Sequence, residues 1–335
     1  MISCHHFEKI MSPIKLSESS QKLLHCPVCH AELNQTEREL ECLNSECTTS
    51  FPIVDGIPVL INERASVFAI DDFRARRQTF FKSESKNQLV NILKSLIPDI
   101  SRNIKGAANY RHLSQILLEC SPHPRVLVIG GSILGDGMEY LVENTAIELV
   151  ESDVAFGERT MLISDAHDLP FQDGAFDGVI AQAVLEHVLD PHRCCAEIYR
   201  VLNDRGVVYA ETPFMQQVHN SPYDFTRFTH FGHRRLFRHF EEIDSGAVCG
   251  PGMALASAYM SFLVSFTTSK VFTRLLIAFA RLTSFYLKYF DYLTIDKPGA
   301  RDAASGYYFI GRKSDLVLSD RDLIKLYQAT ESPRP

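Results

Sequence analysis

The stretch Arg125-Val-Leu-Val-Ile-Gly-Gly-Ser-Ile-Leu-Gly-Asp-Gly137 decides the fold, because an apolar run leads into a glycine cluster and then into the mixed segment 138–143. This order predicts a buried strand, a tight loop and a helix. Backbone N–H groups at the start of such a helix can bind a nucleotide or a carboxylate. The stretch therefore predicts a cofactor cradle, although strand-to-helix turns also use glycine for geometry alone.

Strand and helix patterns alternate after this stretch. Further strands are predicted at 147–153, 161–165, 178–182, 207–212 and 242–248, with an antiparallel last strand at 305–311. Such alternation requires a parallel sheet with helices on both faces. We therefore predict an α/β fold, a doubly wound Rossmann-like sheet of seven strands. The domain is expected to span 121–315, with a helical insertion at 251–300 before the last strand and a C-terminal tail at 316–335.

Composition limits the function classes. The chain has 335 residues, a formal charge of −7 and nine cysteines. The negative charge argues against a broad surface for nucleic acid. The first residues, Met1-Ile-Ser-Cys-His-His-Phe-Glu-Lys9, lack the charged and apolar regions of a signal peptide, so we expect a cytoplasmic protein. Cytosolic cysteines are kept reduced, and metal binding or packing is then their expected role.

Four cysteines near the N-terminus have the spacing of a metal site. Cys26 and Cys29 form one pair, and Cys42 and Cys47 form another after a segment of hairpin length. Two such pairs can meet as a tetrahedral thiolate site for structural Zn²⁺. The second pair is loosely spaced, so His25 and His30 are alternatives for the fourth ligand.

The cysteine region also has a recognisable sequence. Cys26-Pro-Val-Cys29, the second pair and the segment 51–60, Phe-Pro-Ile-Val-Asp-Gly-Ile-Pro-Val-Leu, resemble the small zinc-ribbon activator proteins that accompany tRNA and protein methyltransferases. A zinc ribbon at 21–62 is therefore expected, with a turn at Asp55-Gly56.

The flanking segments are expected to be simpler. Residues 1–20 are polar and unpatterned, which indicates a flexible lead-in. Residues 63–120 are expected to be a helical connector. Helical periodicity is shown there by Leu89, Ile92, Leu93 and Leu96, and again by Leu113, Ile116 and Leu117.

Four motifs beyond the glycine stretch carry a second resemblance. These are Asp165-Ala-His-Asp-Leu-Pro-Phe171, Asp173-Gly-Ala-Phe-Asp177, Leu185-Glu-His-Val188 and Glu197-Ile-Tyr-Arg-Val-Leu202. In combination they resemble class I S-adenosylmethionine-dependent methyltransferases of the type 11 subgroup, over about residues 124–214. The resemblance implies an S-adenosylmethionine-dependent methyltransferase.

The resemblance assigns cofactor roles to particular residues. Gly130 and Gly131 would face the methionine part of S-adenosylmethionine, with Ser132 at the position of the second glycine. Asp153 or Glu151 would bind the ribose, since a carboxylate about twenty residues after the first glycine is placed for this contact. The adenine would be contacted by Asp165, by the Ala166 N–H and by the side chains of Leu169 and Phe171.

One position departs from the family pattern. Val128 stands where the family has an acid that binds the cofactor's amino group. Three alternatives follow: another acid such as Asp136 or Glu139 binds that group, the affinity is lower, or the domain has lost activity.

The loop after the fifth strand is rich in polar side chains and leaves the edge of the sheet where ligands bind. An O-methyl acceptor needs a base with a near-neutral pKa, and His219 and His187 are the candidates, with Asp224 to orient the imidazole. A loop held by buried polar contacts is the alternative. The surrounding motifs resemble those of methyltransferases in glycan and lipid biosynthesis, which implies a small or lipid-linked acceptor.

Residues 270–290 have a second pattern. Lys270, Arg274, Arg281 and Lys288 share one sector of a helix, and the opposite side is aromatic and aliphatic. This arrangement is typical of a helix on a membrane surface, which would place the protein at the inner face of the membrane. A helix that packs its apolar side on the domain is the alternative.

Two other functions fit parts of the sequence. A zinc-ribbon methyltransferase of rRNA or tRNA keeps the same domains, but the acidic charge counts against it. A non-catalytic binding module would follow if Val128 and Ser132 prevent cofactor binding.

Overall fold

The computed structural model describes residues 14–77, 97–219 and 221–329. Within these ranges eleven strands form one continuous sheet. The strands are β1 (Leu33–Gln35), β2 (Glu39–Cys42), β3 (Ser50–Val54), β4 (Ile57–Leu60), β5 (Arg125–Ile129), β6 (Glu148–Asp153), β7 (Leu162–Ser164), β8 (Phe176–Gln182), β9 (Leu202–Pro213), β10 (Phe240–Cys249) and β11 (Gly306–Lys313). Their order across the sheet is β1-β2-β3-β4-β7-β6-β5-β8-β9-β11-β10.

The helices lie between and beside these strands. They are α1 (Glu18–Gln21), α2 (Ile70–Arg74), α3 (Gly106–Cys120), α4 (Glu139–Glu143), α5 (Pro191–Val201), α6 (His230–Leu236), α7 (Pro251–Val264), α8 (Lys270–Ser284), α9 (Leu287–Thr294), α10 (Pro298–Ala303) and α11 (Asp320–Ala329). Helix α5 begins where the sequence predicts, because the Asp190 carboxylate accepts a hydrogen bond from the Arg193 N–H at 3.0 Å. Helices α7–α10 form the predicted insertion between β10 and β11.

The predicted fold class is confirmed. Strands β7, β6, β5, β8 and β9 are parallel, and β11 runs antiparallel between β9 and β10. The sheet is larger than the predicted seven strands because the four strands of the N-terminal ribbon extend it. Strand β4 pairs in parallel with β7, with Val59 opposite Ile163 and Leu60 opposite Ser164.

Both faces of the sheet are covered. Successive residues of β5 point to opposite faces, so Leu127 packs in one apolar cluster with Ile198 of α5, whereas Val128 packs in another with Leu113 and Leu117 of α3. Burial of residues on both faces of a central strand is typical of a doubly wound sheet.

The ribbon is joined to the domain by more than one strand pair. The N–H of His25 donates to the carbonyl of Pro170 at 2.9 Å, and the N–H of Gln172 donates to the carbonyl of Leu23 at 3.0 Å. The predicted turn between β3 and β4 is present, and both Asp55 and Gly56 have positive φ. The ribbon and the main sheet therefore share one hydrogen-bonded edge.

The N-terminal segment differs from the expected flexible lead-in. Ile14 and Leu16 are buried, and the Ser20 hydroxyl donates to the Glu148 carboxylate of β6 at 2.8 Å. Ile14 and Leu16 are separated by a single residue, and a pattern of two apolar residues was too short to predict this packing. The rest of the lead-in, 1–13, lies outside the described residues.

The expected helical connector is partly described. Its second pattern forms α3, whose Leu113 and Leu117 are buried against the sheet, so α3 belongs to the main fold. The helix predicted around Leu89 and Leu96 lies outside the described residues.

Leu60 tests whether the ribbon and the domain unfold together. Its side chain has 0% exposure at the β4–β7 junction, so Leu60→Ala should lower the free energy of unfolding by about 2–5 kcal/mol. Urea unfolding followed by circular dichroism measures this change. Leu43→Ala is the control, because Leu43 is an exposed ribbon residue, and it should stay within about 0.5 kcal/mol of wild type. A main-domain transition that Leu60→Ala leaves unchanged would show that the ribbon unfolds independently.

Candidate functional site

The four ribbon cysteines converge on one point. The Sγ atoms of Cys26 and Cys47 are 3.8 Å apart, and those of Cys29 and Cys42 are 3.4 Å apart. Zn–S bonds of about 2.3 Å in a tetrahedron place sulfurs about 3.8 Å apart, so the donor set fits zinc. Among the described residues, neither of the alternative histidines belongs to this group, whose ligand atoms all lie within 4.8 Å of one another.

The glycine loop follows β5 at the carboxyl edge of the sheet. Gly130 has φ of +77°, and a Cβ there would lie 2.6 Å from Cγ2 of Val184, so glycine is required. The N–H of Gly131 donates to the carbonyl of Ser152, and the N–H of Ser132 donates to the carboxylate of Asp153 at 3.0 Å. The loop is therefore fixed to the end of β6.

The two candidate ribose ligands differ in their contacts. Asp153 accepts N–H bonds on both oxygens, from Ser132 and from Ala155. Glu151 is paired through Oε1 with Nε of Arg159 at 2.6 Å. Burial raises the pKa of both carboxyls. Asp153 thus braces the glycine loop, while Glu151 has a single charged partner that can move.

Asp165 lies at the end of β7, as predicted, and already has protein partners. Its carboxylate binds the Ser66 hydroxyl at 2.5 Å and Nδ1 of His167 at 2.6 Å. Burial alone would raise the pKa of Asp165, but these hydrogen bonds outweigh it and hold the pKa below its usual value. The carboxylate is therefore ionised at neutral pH.

The residues predicted to contact the adenine, Ala166, Leu169 and Phe171, are all buried. Ala166 is buried beside Asp165. Leu169 and Phe171 have 0% exposure, and the ring of Phe171 packs edge-on against Phe176 with centroids 4.8 Å apart. Both side chains fill the core under the ribbon, so in this arrangement neither offers surface to a base.

Val128 is buried in the apolar cluster on the α3 side of the sheet. Near the glycine loop, Gln182 donates to the carbonyl of Asp136 at 3.1 Å and accepts from the hydroxyl of Tyr110 at 2.9 Å. The buried Glu211, at the end of β9, lies in the same region and accepts from the hydroxyl of Tyr209 and from Asn103. Asp136 therefore lies beside a polar group of side chains that sequence reasoning missed.

The predicted catalytic histidines lie together, against a buried acid. Nε2 of His187 is 3.8 Å from Oε1 of Glu186, and Nε2 of His219 is 3.9 Å from the same oxygen. The two imidazole rings are nearly perpendicular, with centroids 4.9 Å apart. Burial raises the pKa of Glu186 to about 8 and lowers the pKa of His187 below its usual value. A neutral His187 has a lone pair to give.

Asp224 orients the loop rather than the imidazole alone. Its carboxylate is bound by both guanidinium nitrogens of Arg227 and accepts the backbone N–H of His219 at 2.7 Å. The contact to Nδ1 of His219 is longer, at 3.5 Å. Asp224 therefore fixes the position of His219 mainly through its backbone.

Sequence reasoning named most of this cluster but assigned no role to Glu186 or Arg227. The available signal for Glu186 was an acid between Leu185 and His187 in an apolar segment. The complete burial of Glu186 could not be predicted from the sequence, because its burial depends on segments that are distant along the chain.

Comparisons with known proteins agree with this geometry. Residues 136–210 match a family described as a methyltransferase domain. UPF0434 protein YcaR of Escherichia coli is 38% identical over 56 residues, which is 16% of this chain and 90% of that protein. UPF0434 protein azo1471 of Azoarcus sp. is 36% identical over 56 residues, or 17% and 90% of the two proteins. The structure of geranyl diphosphate C-methyltransferase from Streptomyces coelicolor A3(2) has a TM-score of 0.39 and 15% identity, covering 62% of this chain and 76% of that one.

The sheet order, the glycine loop and the domain match define a methyltransferase-type α/β domain behind an N-terminal zinc ribbon. The chain belongs to the UPF0434 family through its ribbon, and it adds the methyltransferase domain to it. Both resemblances predicted from the sequence are thereby confirmed.

Removing one ribbon cysteine should remove one zinc ion. We expect Cys47→Ser to contain one equivalent of zinc less per chain than Cys120→Ser, whose thiol lies outside the cluster. Cys47→Ser should also unfold at lower temperature, because metal binding supplies most of the folding free energy of so small a ribbon. Mass spectrometric metal analysis and thermal unfolding measure both effects. Equal zinc contents in the two variants would contradict a thiolate zinc site.

Proposed function

We propose that this chain is an S-adenosylmethionine-dependent methyltransferase whose acceptor binds beside His187 and His219. One observation carries the proposal: the glycine loop, two carboxylates and the histidine pair occupy the carboxyl edge of one parallel sheet, within a chain that matches a methyltransferase domain. In open α/β sheets, ligands bind at this edge.

The chain's own residues fit an adenosine-bearing cofactor. Gly130 keeps the loop open to close approach by a ligand, and Glu151 is the better ribose ligand because Asp153 is committed to the loop. Asp165 and the Ala166 N–H would bind the adenine. S-adenosylmethionine, when bound, supplies an activated methyl group, and the leaving group is the cofactor's own sulfur. These residues therefore have to bind and orient, not to form a covalent intermediate.

The amino group of the cofactor needs another partner in place of Val128. We assign it to Asp136, which lies in the glycine loop beside the Tyr110–Gln182 pair. Glu139 is the second candidate.

The histidine pair would activate the acceptor. The imidazoles of His187 and His219 present lone pairs next to Glu186, and the Asp224–Arg227 pair holds the loop in place. His219 is the more exposed of the two, so the acceptor approaches from its side. An imidazole lone pair there would take the acceptor's proton and leave a nucleophile for the methyl group of bound S-adenosylmethionine.

Gly130 gives a direct test of cofactor binding. Gly130→Ala should weaken S-adenosylmethionine binding by at least about 10-fold, because a Cβ there displaces the loop. Gly174→Ala is the matched control: Gly174 also has positive φ, so a similar cost of about 1–2 kcal/mol applies, but it lies outside the cradle. Calorimetry measures the affinity.

Methyl-labelled cofactor then tests turnover, through transfer of label to polar or lipid extracts of cells. If the wild-type protein binds no S-adenosylmethionine at millimolar concentration, a non-catalytic binding module is the function that remains. Salt-sensitive labelling of RNA would favour the rRNA or tRNA methyltransferase instead.

The insertion presents an apolar surface. Large apolar side chains are exposed on α7, α8 and α9 and in the turn after α7; they include Phe262, Phe266, Phe272, Leu275, Phe279, Leu282, Phe290 and Leu293. Acidic residues are missing from the sequence between Asp244 and Asp291, so the charges nearby are positive. Apolar side chains with cations alone fit an anionic lipid surface.

The predicted cationic stripe needs one correction. Lys288 is buried, and its ammonium donates to the carbonyl of Asp99 at 2.5 Å, so it anchors the insertion to the domain. Lys270 and Arg274 are the exposed cations of α8. No helix within the described ranges is long and apolar enough to cross a bilayer. We therefore propose peripheral contact, which brings a lipid-linked acceptor to the site.

Vesicle flotation tests the lipid contact. Wild-type protein should float with vesicles containing phosphatidylglycerol, less strongly at high salt because Lys270 and Arg274 each contribute about 1 kcal/mol. The double variant Phe272→Ser/Phe279→Ser should lose flotation. The control Leu316→Ser/Ile324→Ser alters two exposed apolar residues outside the insertion and should float normally. Equal flotation of both double variants, or none by wild type, would argue for an apolar surface with another role.

A further inference from the structure

Glu186 is the most unusual group at the edge of the sheet. Its side chain has 0% exposure, and neither carboxylate oxygen has a hydrogen-bond partner among the described residues. An unpartnered buried carboxylate costs several kcal/mol, so such groups are normally paired or bound to a metal. The described side chains therefore do not supply the partner that this carboxylate needs.

Two imidazoles face this carboxylate. Glu186, His187 and His219 each offer one ligand atom, and these three atoms all lie within 4.8 Å of one another. A first-row metal ion with bonds of about 2.0–2.1 Å needs tetrahedral ligand atoms about 3.4 Å apart. The observed separations from Glu186, 3.8 and 3.9 Å, exceed this by about 0.5 Å, which small side-chain rotations can close.

The outer contacts of both histidines suit metal ligands. Nδ1 of His187 donates to the carbonyl of Tyr223 at 2.5 Å, and a carbonyl can only accept, so Nε2 carries the lone pair. Nδ1 of His219 lies 3.4 Å from the carbonyl of Gln217, 3.4 Å from Nη2 of Arg227 and 3.5 Å from the Asp224 carboxylate, while Nε2 faces Glu186. A ring whose second nitrogen binds a carbonyl or a carboxylate is the usual arrangement for a metal-bound histidine.

The charge balance allows a cation here. Arg227 is the nearest positive group, and Asp224 binds it through both guanidinium nitrogens. Among the described residues no Lys or Arg forms an ion pair with Glu186, so its ionised form would gain from a bound cation. His219 is about one-third exposed, which gives an ion a route from solvent.

We infer that Glu186, His187 and His219 bind a divalent first-row transition-metal ion, at a site separate from the ribbon cysteines. Two histidines and one carboxylate leave coordination positions open, as catalytic metal sites do. With Nε2 of both histidines bound to the ion, the ion rather than a histidine lone pair would activate the acceptor: an acceptor oxygen in an open position would be polarised and would lose its proton to solvent more readily. This last role, unlike the site itself, rests on the proposed methyl transfer.

Cobalt(II) added to the full chain with its ribbon zinc in place tests the site. Wild-type protein should bind one further equivalent, with the weak visible absorption of nitrogen and oxygen ligands. Glu186→Gln and His219→Ala should weaken this binding by at least about 100-fold, because even loss of an outer contact costs 10–100-fold. His192→Ala is the control, since His192 is exposed on α5 and outside the group.

Circular dichroism confirms that each variant is folded. If Glu186→Gln unfolds, His219→Ala still tests the site, because the His219 side chain is about one-third exposed. Absence of the further equivalent, equal binding by all variants, or intense thiolate-to-cobalt absorption alone would overturn the inference. Calorimetry with S-adenosylmethionine on the same samples separates the two proposals. Cofactor binding without cobalt binding overturns only the metal site, and cobalt binding without cofactor binding overturns only the methyltransferase.

Discussion

Strand β7 has three residues, and its outer edge would expose unpaired N–H and C=O groups if β4 did not pair with it. This pairing is the constraint on which the rest of the structure depends. Strand β4 can reach β7 only when the ribbon hairpins are folded, and the ribbon is too small to fold by apolar burial alone. The cysteine cluster therefore supports the edge of the sheet that also carries the candidate cofactor residue Asp165.

The same junction reaches the candidate cofactor site. Beyond β4, the Asn62 amide donates to Asp168 at 3.0 Å and the Ser66 hydroxyl binds Asp165. The loop after β7 is thus held by the chain on the ribbon side as well as by its own strand. A buried carboxylate that is held from two directions loses little entropy when a ligand exchanges with one of its partners. In the proposed function, where Asp165 would bind the adenine, ribbon folding and cofactor binding would be physically coupled.

Local chemistry was predictable from the sequence, and distant pairings were not. The turn at Asp55-Gly56 and the start of α5 at Asp190 follow from backbone preferences of a few residues, and both are present. The parallel sheet follows from alternation of short patterns. The pairing of β4 with β7 joins segments about a hundred residues apart, and no periodicity encodes it. Lys288 was misplaced for a related reason: a helical projection shows its sector but not the carbonyl of Asp99 that binds it.

A ribbon within the same polypeptide has a consequence for assembly. A separate ribbon protein would have to find its partner domain, and occupancy would then depend on the concentrations of both proteins. Here β4 and β7 are joined by a chain of about one hundred residues, so their encounter is intramolecular and has an effective concentration that dilution does not change. Every copy of the domain is synthesised with its own ribbon. The ratio of the two is set by translation, and no cellular control over partner abundance can uncouple them.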